Sequence, residues 1–251
     1  MSKRTDSNSY TVLFTLGMVV VVGALLAFVA SSLRGKIAEN ERMEKQQNIL
    51  YAMGVNENED GSRKFISTDK VGAAFDKYIV AQYIIQNGKV TETDEAFKLN
   101  LKQEKSDYQN NPGGRKFPLF VGEKDGEKYY IIPVYGKGLW NAIWGYVSVD
   151  ANMVVQGVFF DHLGETAGLG ANIKERFFMD DFAGEHLLDD NGNFKGVAVA
   201  KGNADPTNLR KNDHKVDAIA GSTITGNGVT AMLQSDLKWY VPFFKNLKNE
   251  K

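Results

Sequence analysis

The sequence predicts an α+β fold, with a single N-terminal transmembrane helix followed by a domain in which strand runs are interspersed with helices. Three observations carry this expectation. No Asp, Glu, Lys or Arg occurs from Ser7 to Leu33, and roughly 20 apolar residues rising about 1.5 Å each cross the ~30 Å hydrocarbon layer. From Lys128 onward, β-branched and aromatic runs recur between Gly, Asp and Asn, as strands do. The whole chain is 43% hydrophobic, with 30 Lys+Arg against 31 Asp+Glu. That composition excludes a wholly disordered or collagen-like chain.

The elements follow in order. Residues 1–9 form a short N-terminal tail and residues 10–33 the membrane helix. Its apolar core runs from Val12 to Ala30 and on to Leu33, with Tyr10 at the end that suits a membrane interface. The apolar region of a cleaved signal peptide is shorter, about 7–15 residues, so a retained anchor is expected. Lys3 and Arg4 precede the helix; Arg34, Lys36, Arg42 and Lys45 follow it. A plain count of these charges puts the C-terminal side in the cytoplasm, but long domains translocate largely regardless of charge. Charge alone leaves the topology open. Gly23 and Ala27 form one small-xxx-small pair that would suit a helix partner, or a plain lipid-facing anchor.

Residues 34–127 form a membrane-proximal helix and the N-terminal part of the soluble region. A charged helix over 34–53 stops at Gly54. Asn56–Arg63 reads as a loop, Val71–Lys77 as a helix and Tyr78–Ile85 as a strand. Asn87-Gly88 is a turn signal. Glu92–Gln109 is partly helical, and Asn110–Gly114 (NNPGG) is a strong break. In the domain over 128–245, strands are expected at Lys128–Tyr135, Ile143–Val149, Val154–His162 and Gly196–Ala200. A hairpin at Asp150–Asn152 joins the second and third. Helices are expected over Ile173–Phe182 and Gly228–Tyr240, and residues 246–251 form a charged tail.

Composition also limits the chemistry. The absence of cysteine rules out disulfides and Cys-ligated zinc or iron–sulfur centres. The balanced charge gives no footprint for general nucleic-acid binding. The three histidines, His162, His186 and His214, match no metal motif, and no G-x-S-x-G elbow occurs. Gly226–Ala231 fits G-x-G-x-x-A, but too little chain follows for a dinucleotide fold.

The stretch Asp217–Gly228 (DAIAGSTITGNG) is more informative. It places Ser222, Thr223 and Thr225 and three glycines just before an expected helix, where free N–H groups suit a phosphate. Ordinary capping by Thr225 is the competing account. A second glycine loop, His162–Gly170 (HLGETAGLG), and a third segment, Gly136–Trp140 (GKGLW), each follow a strand. Together the three segments could enclose a flat phosphorylated cofactor. No residue for catalytic acid–base turnover and no metal site stands out.

These segments resemble the FMN-binding domain of the C subunit of the Na+-translocating NADH:quinone reductase family. That family attaches FMN to a threonine through a phosphoester in a pattern D-x-x-[S/T]-G-A-T. Asp217, Gly221 and Thr223 match it; Ala220 replaces the usual Ser/Thr, and Ser222 the usual Ala. Glu165-Thr166-Ala167-Gly168-Leu169-Gly170 resembles the family's E-T-P-G-L-G loop, with Ala167 in place of proline. Gly138-Leu139-Trp140 resembles its G-L-W segment, and Lys45–Gly54 its membrane-proximal helix. The resemblance covers nearly the whole chain, least distinctively around residues 87–127.

The resemblance implies covalent FMN on Thr223, with Asp217, Gly221, Ser222, Leu139, Trp140, Glu165, Thr166, Gly168, Leu169 and Gly170 around the cofactor. It implies that a flavin transferase uses FAD and Mg2+ and releases AMP. It also implies an electron-transfer subunit of a sodium-pumping NADH:quinone oxidoreductase, inactive alone and held against the other subunits of the complex. The 128–245 region is then an extracytoplasmic FMN-binding domain on a bacterial inner membrane, with the N-terminus cytoplasmic. Two alternatives are the flavoprotein of an Rnf-type ferredoxin:NAD+ complex, which tends to be shorter, and a membrane-anchored FMN-binding sensor without redox turnover.

Overall fold

The computed structural model describes residues 7–59, 61–110 and 114–249. The start of the N-terminal tail with Lys3 and Arg4, the centre of the break at 110–114 and the last two residues lie outside that set.

Two units are present, one up to Lys45 and one from Gln46 onward. The first consists of most of helix α1 (Asn8–Ala52). From Val12 to Ala30 it is apolar on every side: Val12, Leu13, Leu26 and Phe28 are all exposed. It is the one helix among the described residues long and apolar enough to cross a membrane. A helix with no polar face in its apolar stretch fits hydrocarbon rather than water.

In the second unit, the end of α1 is buried through Ile49, Leu50 and Ala52. Gly54 stops the helix at φ +74°. Its amide donates to Tyr51 O at 3.0 Å and the Val55 amide to Leu50 O at 2.9 Å, the paired bonds of a Schellman end. Helix α2 (Thr68–Tyr78) leads into strand β1 (Ile79–Gln86). Then come β2 (Lys89–Glu92), α3 (Glu95–Lys98) and α4 (Leu101–Asn110). Strands β3 (Phe117–Lys124), β4 (Glu127–Lys137), β5 (Ala142–Val149) and β6 (Val155–His162) follow.

These six strands form one antiparallel sheet in the order β2-β1-β3-β4-β5-β6. It takes strands from both sides of position 128. Asn87-Gly88 closes the β1–β2 hairpin with φ values of 51° and 76°, the left-handed pair a two-residue turn needs. Asp125-Gly126 closes β3–β4 in the same way, at 54° and 83°. The β5–β6 connection is held by the Asp150 carboxylate, whose Oδ1 accepts the amides of Asn152 and Val154 at 2.8 and 2.9 Å.

The remaining elements are α5 (Arg176–Met179), a two-residue parallel pair of β7 (Ala198–Val199) with β8 (Lys215–Val216), α6 (Thr223–Leu237) and α7 (Val241–Asn249). Pairing puts Tyr130 and Gly136 of β4, Gly145 of β5 and Phe160 of β6 on one sheet face. Met232 of α6 reaches Gly136, Phe244 of α7 packs on Tyr130, and Phe178 and Phe182 pack on Phe160. The opposite face carries Phe120 against Phe97 and Phe159 against Tyr51. Helices thus cover both faces.

Four local expectations are corrected. Strand β3 was not expected, and Pro118 within it explains why, since proline removes a ladder donor. The helix expected over Ile173–Phe182 breaks into 3-10 turns at Gly170–Lys174 and Asp180–Phe182 flanking α5, because Glu175 is extended at ψ 148°. Helix α6 starts at Thr223 rather than Gly228. A Cβ on Gly226 would lie 3.0 Å from Val199 Cγ1, and one on Gly228 would run into Lys137 O. Those glycines allow close packing and do not mark a loop. Finally, the chain continues past a 3-10 turn at Lys238–Tyr240 into α7. Pro242 falls in the first turn of α7, where its missing N–H is tolerated.

Candidate cofactor site

Three chain segments meet at one end of the sheet. The β4–β5 connection turns over residues 138–141, closed by the Gly138 amide donating to Asn141 O at 2.8 Å. The loop after β6 runs from Leu163 to Gly170. The segment after β8 enters α6 through Gly221, at φ +71°; a Cβ there would lie 2.9 Å from Leu169 Cδ2. Between them lies a cavity of about 270 Å³ lined by Leu139, Glu165, Thr166, Leu169, Gly170, Gly221, Ser222, Thr223, Ile224 and Thr225.

The structure therefore brings together eight of the residues expected at the cofactor. Trp140 is not among the lining residues; it is 67% exposed, with its indole N–H donating to the lining residue Thr166, at Oγ1, over 3.2 Å. Gly168 bends the second loop at φ +74° without lining the cavity. Asp217 also lies off the cavity lining. Its Oδ1 accepts the amides of Ala204 and Asp205 at 3.0 and 3.2 Å, which anchors the loop upstream.

The three hydroxyls differ sharply. Ser222 is 6% exposed and caps α6 by position, without a side-chain cap bond. Thr225 is 2% exposed and donates to Glu165 Oε2 at 2.6 Å, so it does not cap the helix. Thr223, the first residue of α6, is exposed and lines the cavity. The first helical amide bond is Gly226 N to Ser222 O at 2.9 Å. Among the described residues, the amides of Thr223, Ile224 and Thr225 make no hydrogen bond in the structure. Free N–H groups at the positive end of a 15-residue helix suit an anion.

Glu165 is the electrostatic centre of the site. It is 8% exposed. Burial pushes its carboxyl up, but the hydrogen bonds from Thr225 and from the amides of Trp140, Asn141 and Leu139 outweigh burial and leave it below the ordinary carboxylate range. Its own amide donates to His162 Nδ1 at 3.1 Å. Sequence reasoning did not single out Ile224 as a lining residue or His162 as a support. Their place after a motif threonine and at the head of a motif loop was the available signal.

The residues fit a flavin nucleotide. The free amides at the start of α6 belong to cavity-lining residues and suit a phosphate, and exposed Leu139 and Leu169 in the lining, with Trp140 next to Leu139, offer apolar surface for a flat ring. Among the described residues, no group of three or more His, Asp or Glu could hold a metal ion.

The family described as FMN-binding domain matches residues 138–238, a span that begins at the 138–141 turn and ends after α6. The chain is 30% identical over 245 residues to the C subunit of the Na(+)-translocating NADH-quinone reductase of Pseudomonas aeruginosa, covering 91% of this chain and 90% of that one. It is 28% identical over 244 residues to the C subunit of the same reductase from Yersinia pestis, covering 90% and 87%. Among solved structures it resembles the C subunit from Parabacteroides distasonis, with TM-score 0.71 and 34% identity, over 84% of this chain and 96% of that one. It also resembles Shewanella oneidensis NqrC, with TM-score 0.63 and 25% identity, over 84% and 99%.

Proposed function

The chain belongs to the family of the C subunit of the Na(+)-translocating NADH-quinone reductase, and from that membership we propose that Thr223 carries FMN through a phosphoester bond. The coarser function follows from the family: the chain is a flavoprotein subunit that serves electron transfer within a multi-subunit oxidoreductase, and FMN is its cofactor. The one helix among the described residues that is long and apolar enough to cross a membrane fits a one-pass anchor in a bacterial membrane.

The observation that carries the attachment proposal is the contrast among three neighbouring hydroxyls. Only Thr223 is exposed, on the cavity wall, beside free helix amides. Those amides would hold the phosphate and lower the cost of its charge. Leu139, Trp140 and Leu169 would flank the ring and limit water on one side. Bound FMN would supply one-electron exchange. Attachment requires a flavin transferase with FAD and Mg2+. The Thr223 hydroxyl oxygen would bond the FMN-side phosphorus of FAD as the pyrophosphate bond breaks, with AMP leaving and the hydroxyl proton passing to solvent. Asp217 supports this by fixing the loop that leads into α6, rather than by touching the hydroxyl.

The matches to this reductase's C subunit extend over about nine-tenths of the chain, including the region before the FMN-binding span. That extent favours the sodium-pumping reductase over the shorter Rnf-type flavoprotein. We place the N-terminus in the cytoplasm and the soluble domain outside it. The test is incubation with a flavin transferase, FAD and Mg2+, followed by denaturing electrophoresis. Flavin fluorescence should stay with the wild-type band and vanish in Thr223→Ala. Fluorescence that persists in Thr223→Ala overturns the attachment site.

A further inference from the structure

The partners of Glu165 exhaust its capacity. An ionised carboxylate offers about four acceptor positions. Oε1 accepts the Trp140 and Asn141 amides at 2.9 and 3.4 Å, and Oε2 accepts the Thr225 hydroxyl and the Leu139 amide at 2.6 and 3.3 Å. Three consecutive amides and a buried hydroxyl thus converge on one side chain. A Cβ on Gly138 would lie 2.6 Å from Oε1, and one on Gly170 would lie 2.7 Å from Oε2. Glycine on both sides makes the room the carboxylate needs.

We propose that Glu165 is a positioning residue and not a cofactor ligand: it registers the 138–141 turn against the first turn of α6, aligning one wall of the cavity with Thr223. This rests on the reading of the cavity as the flavin site. Three successive amides around an anion form a nest, and here the protein fills the nest with its own carboxylate. A phosphate cannot use the amides of 139–141, and the free donors are those of 223–225. The clamp links residues far apart in sequence, so the attachment turn and the ring-side turn are ordered together.

The test compares the full chain with Glu165→Ala and Glu165→Gln, before and after flavin attachment. Before attachment, amide hydrogen exchange at 139–141 should quicken roughly tenfold or more in Glu165→Ala, since a hydrogen bond to a charged group is lost at each. In Glu165→Gln the side-chain amide can face only one pair of donors, so protection should fall at Leu139 or at Trp140 and Asn141, but not at both. The Gln variant decides the matter if Glu165→Ala does not fold. After attachment, Glu165→Gln should shift the visible circular dichroism of the flavin at equal occupancy by mass, a signature that loss of stability alone does not give. Unchanged exchange at all three amides in both variants overturns the proposal. So does unchanged exchange before attachment with an altered flavin spectrum after it, because Glu165 would then touch the cofactor directly. Failure of the flavin reading is separate: the wild-type chain would take no flavin, while the exchange result would stand and only its link to the cofactor would fall.

Discussion

Burial sorts the hydroxyls that sequence alone left in competition. Thr223 is exposed on the cavity wall, whereas Ser222 and Thr225 are buried and Thr225 is already bonded to Glu165. Ser222→Ala should therefore keep full flavin attachment in a fluorescence assay, while Thr223→Ala loses it. Gly170 has a more specific role than backbone freedom. An added Cβ would lie 2.5 Å from Thr225 Oγ1 and 2.7 Å from Glu165 Oε2. Gly170→Ala should then cost roughly 1–3 kcal/mol through overpacking, measured by thermal unfolding before flavin attachment.

Glu185 gives a pH test. It is 0% exposed, and among the described residues neither carboxylate oxygen has a hydrogen-bond partner. Burial raises its carboxyl from 4.5 to about 7; Lys211 opposes the shift, and Asp213, Asp205 and Asp181 add to it. Between those values the folded state holds a proton that the unfolded chain releases, so stability falls as pH rises through this window and the full penalty remains above about 7. Below the window both states are protonated and the penalty vanishes. Urea unfolding at about pH 5 and about pH 8 should show that Glu185→Gln flattens the slope and stabilises the protein at the higher pH. An unaltered slope contradicts this. At this scale the segments that line the cavity were legible because their glycine and hydroxyl patterns are local. The role of Glu165 was not, because its partners lie 24 to 60 positions away.

Among the elements, α6 is held to β4 by a buried ion group. Asp236 is 2% exposed, pairs with Lys105 Nζ at 2.9 Å and Arg115 Nη2 at 3.0 Å, and accepts the Tyr135 amide at 2.9 Å. Asp236→Ala should cost about 3–5 kcal/mol, because two low-exposure cations lose their carboxylate; urea unfolding measures it, and a change near zero would contradict the network's role. The legibility of elements followed their composition. Lys128–Tyr135 and Val154–His162 read as strands from β-branched and aromatic residues. Strand β3 was hidden by Pro118, and the start of α6 by Gly226 and Gly228, whose lack of side chains serves packing against Val199 and Lys137. Helix α7 was hidden behind Pro242. For β3 and the start of α6 tertiary contact overrode the local signal.

For the whole molecule, the uncharged stretch from Ser7 to Leu33 was read correctly as a long apolar helix, since length and hydropathy decide that without tertiary help. Orientation is not decided that way, because a long domain overrides the flanking charge. With the domain outside the cytoplasm, protease added to intact spheroplasts should cut the chain in the irregular 200–214 segment. Cleavage only after the membrane is permeabilised would reverse the topology.

The proposed covalent flavin on Thr223 is the central claim about the cavity at the start of α6. It is decided by the mass of the proteolytic peptide containing Thr223, taken from protein made alongside a flavin transferase. The expected mass gain equals FMN less one water, with fragmentation placing it on Thr223. An unmodified peptide, or the same gain placed on Ser222 or Thr225, would contradict it.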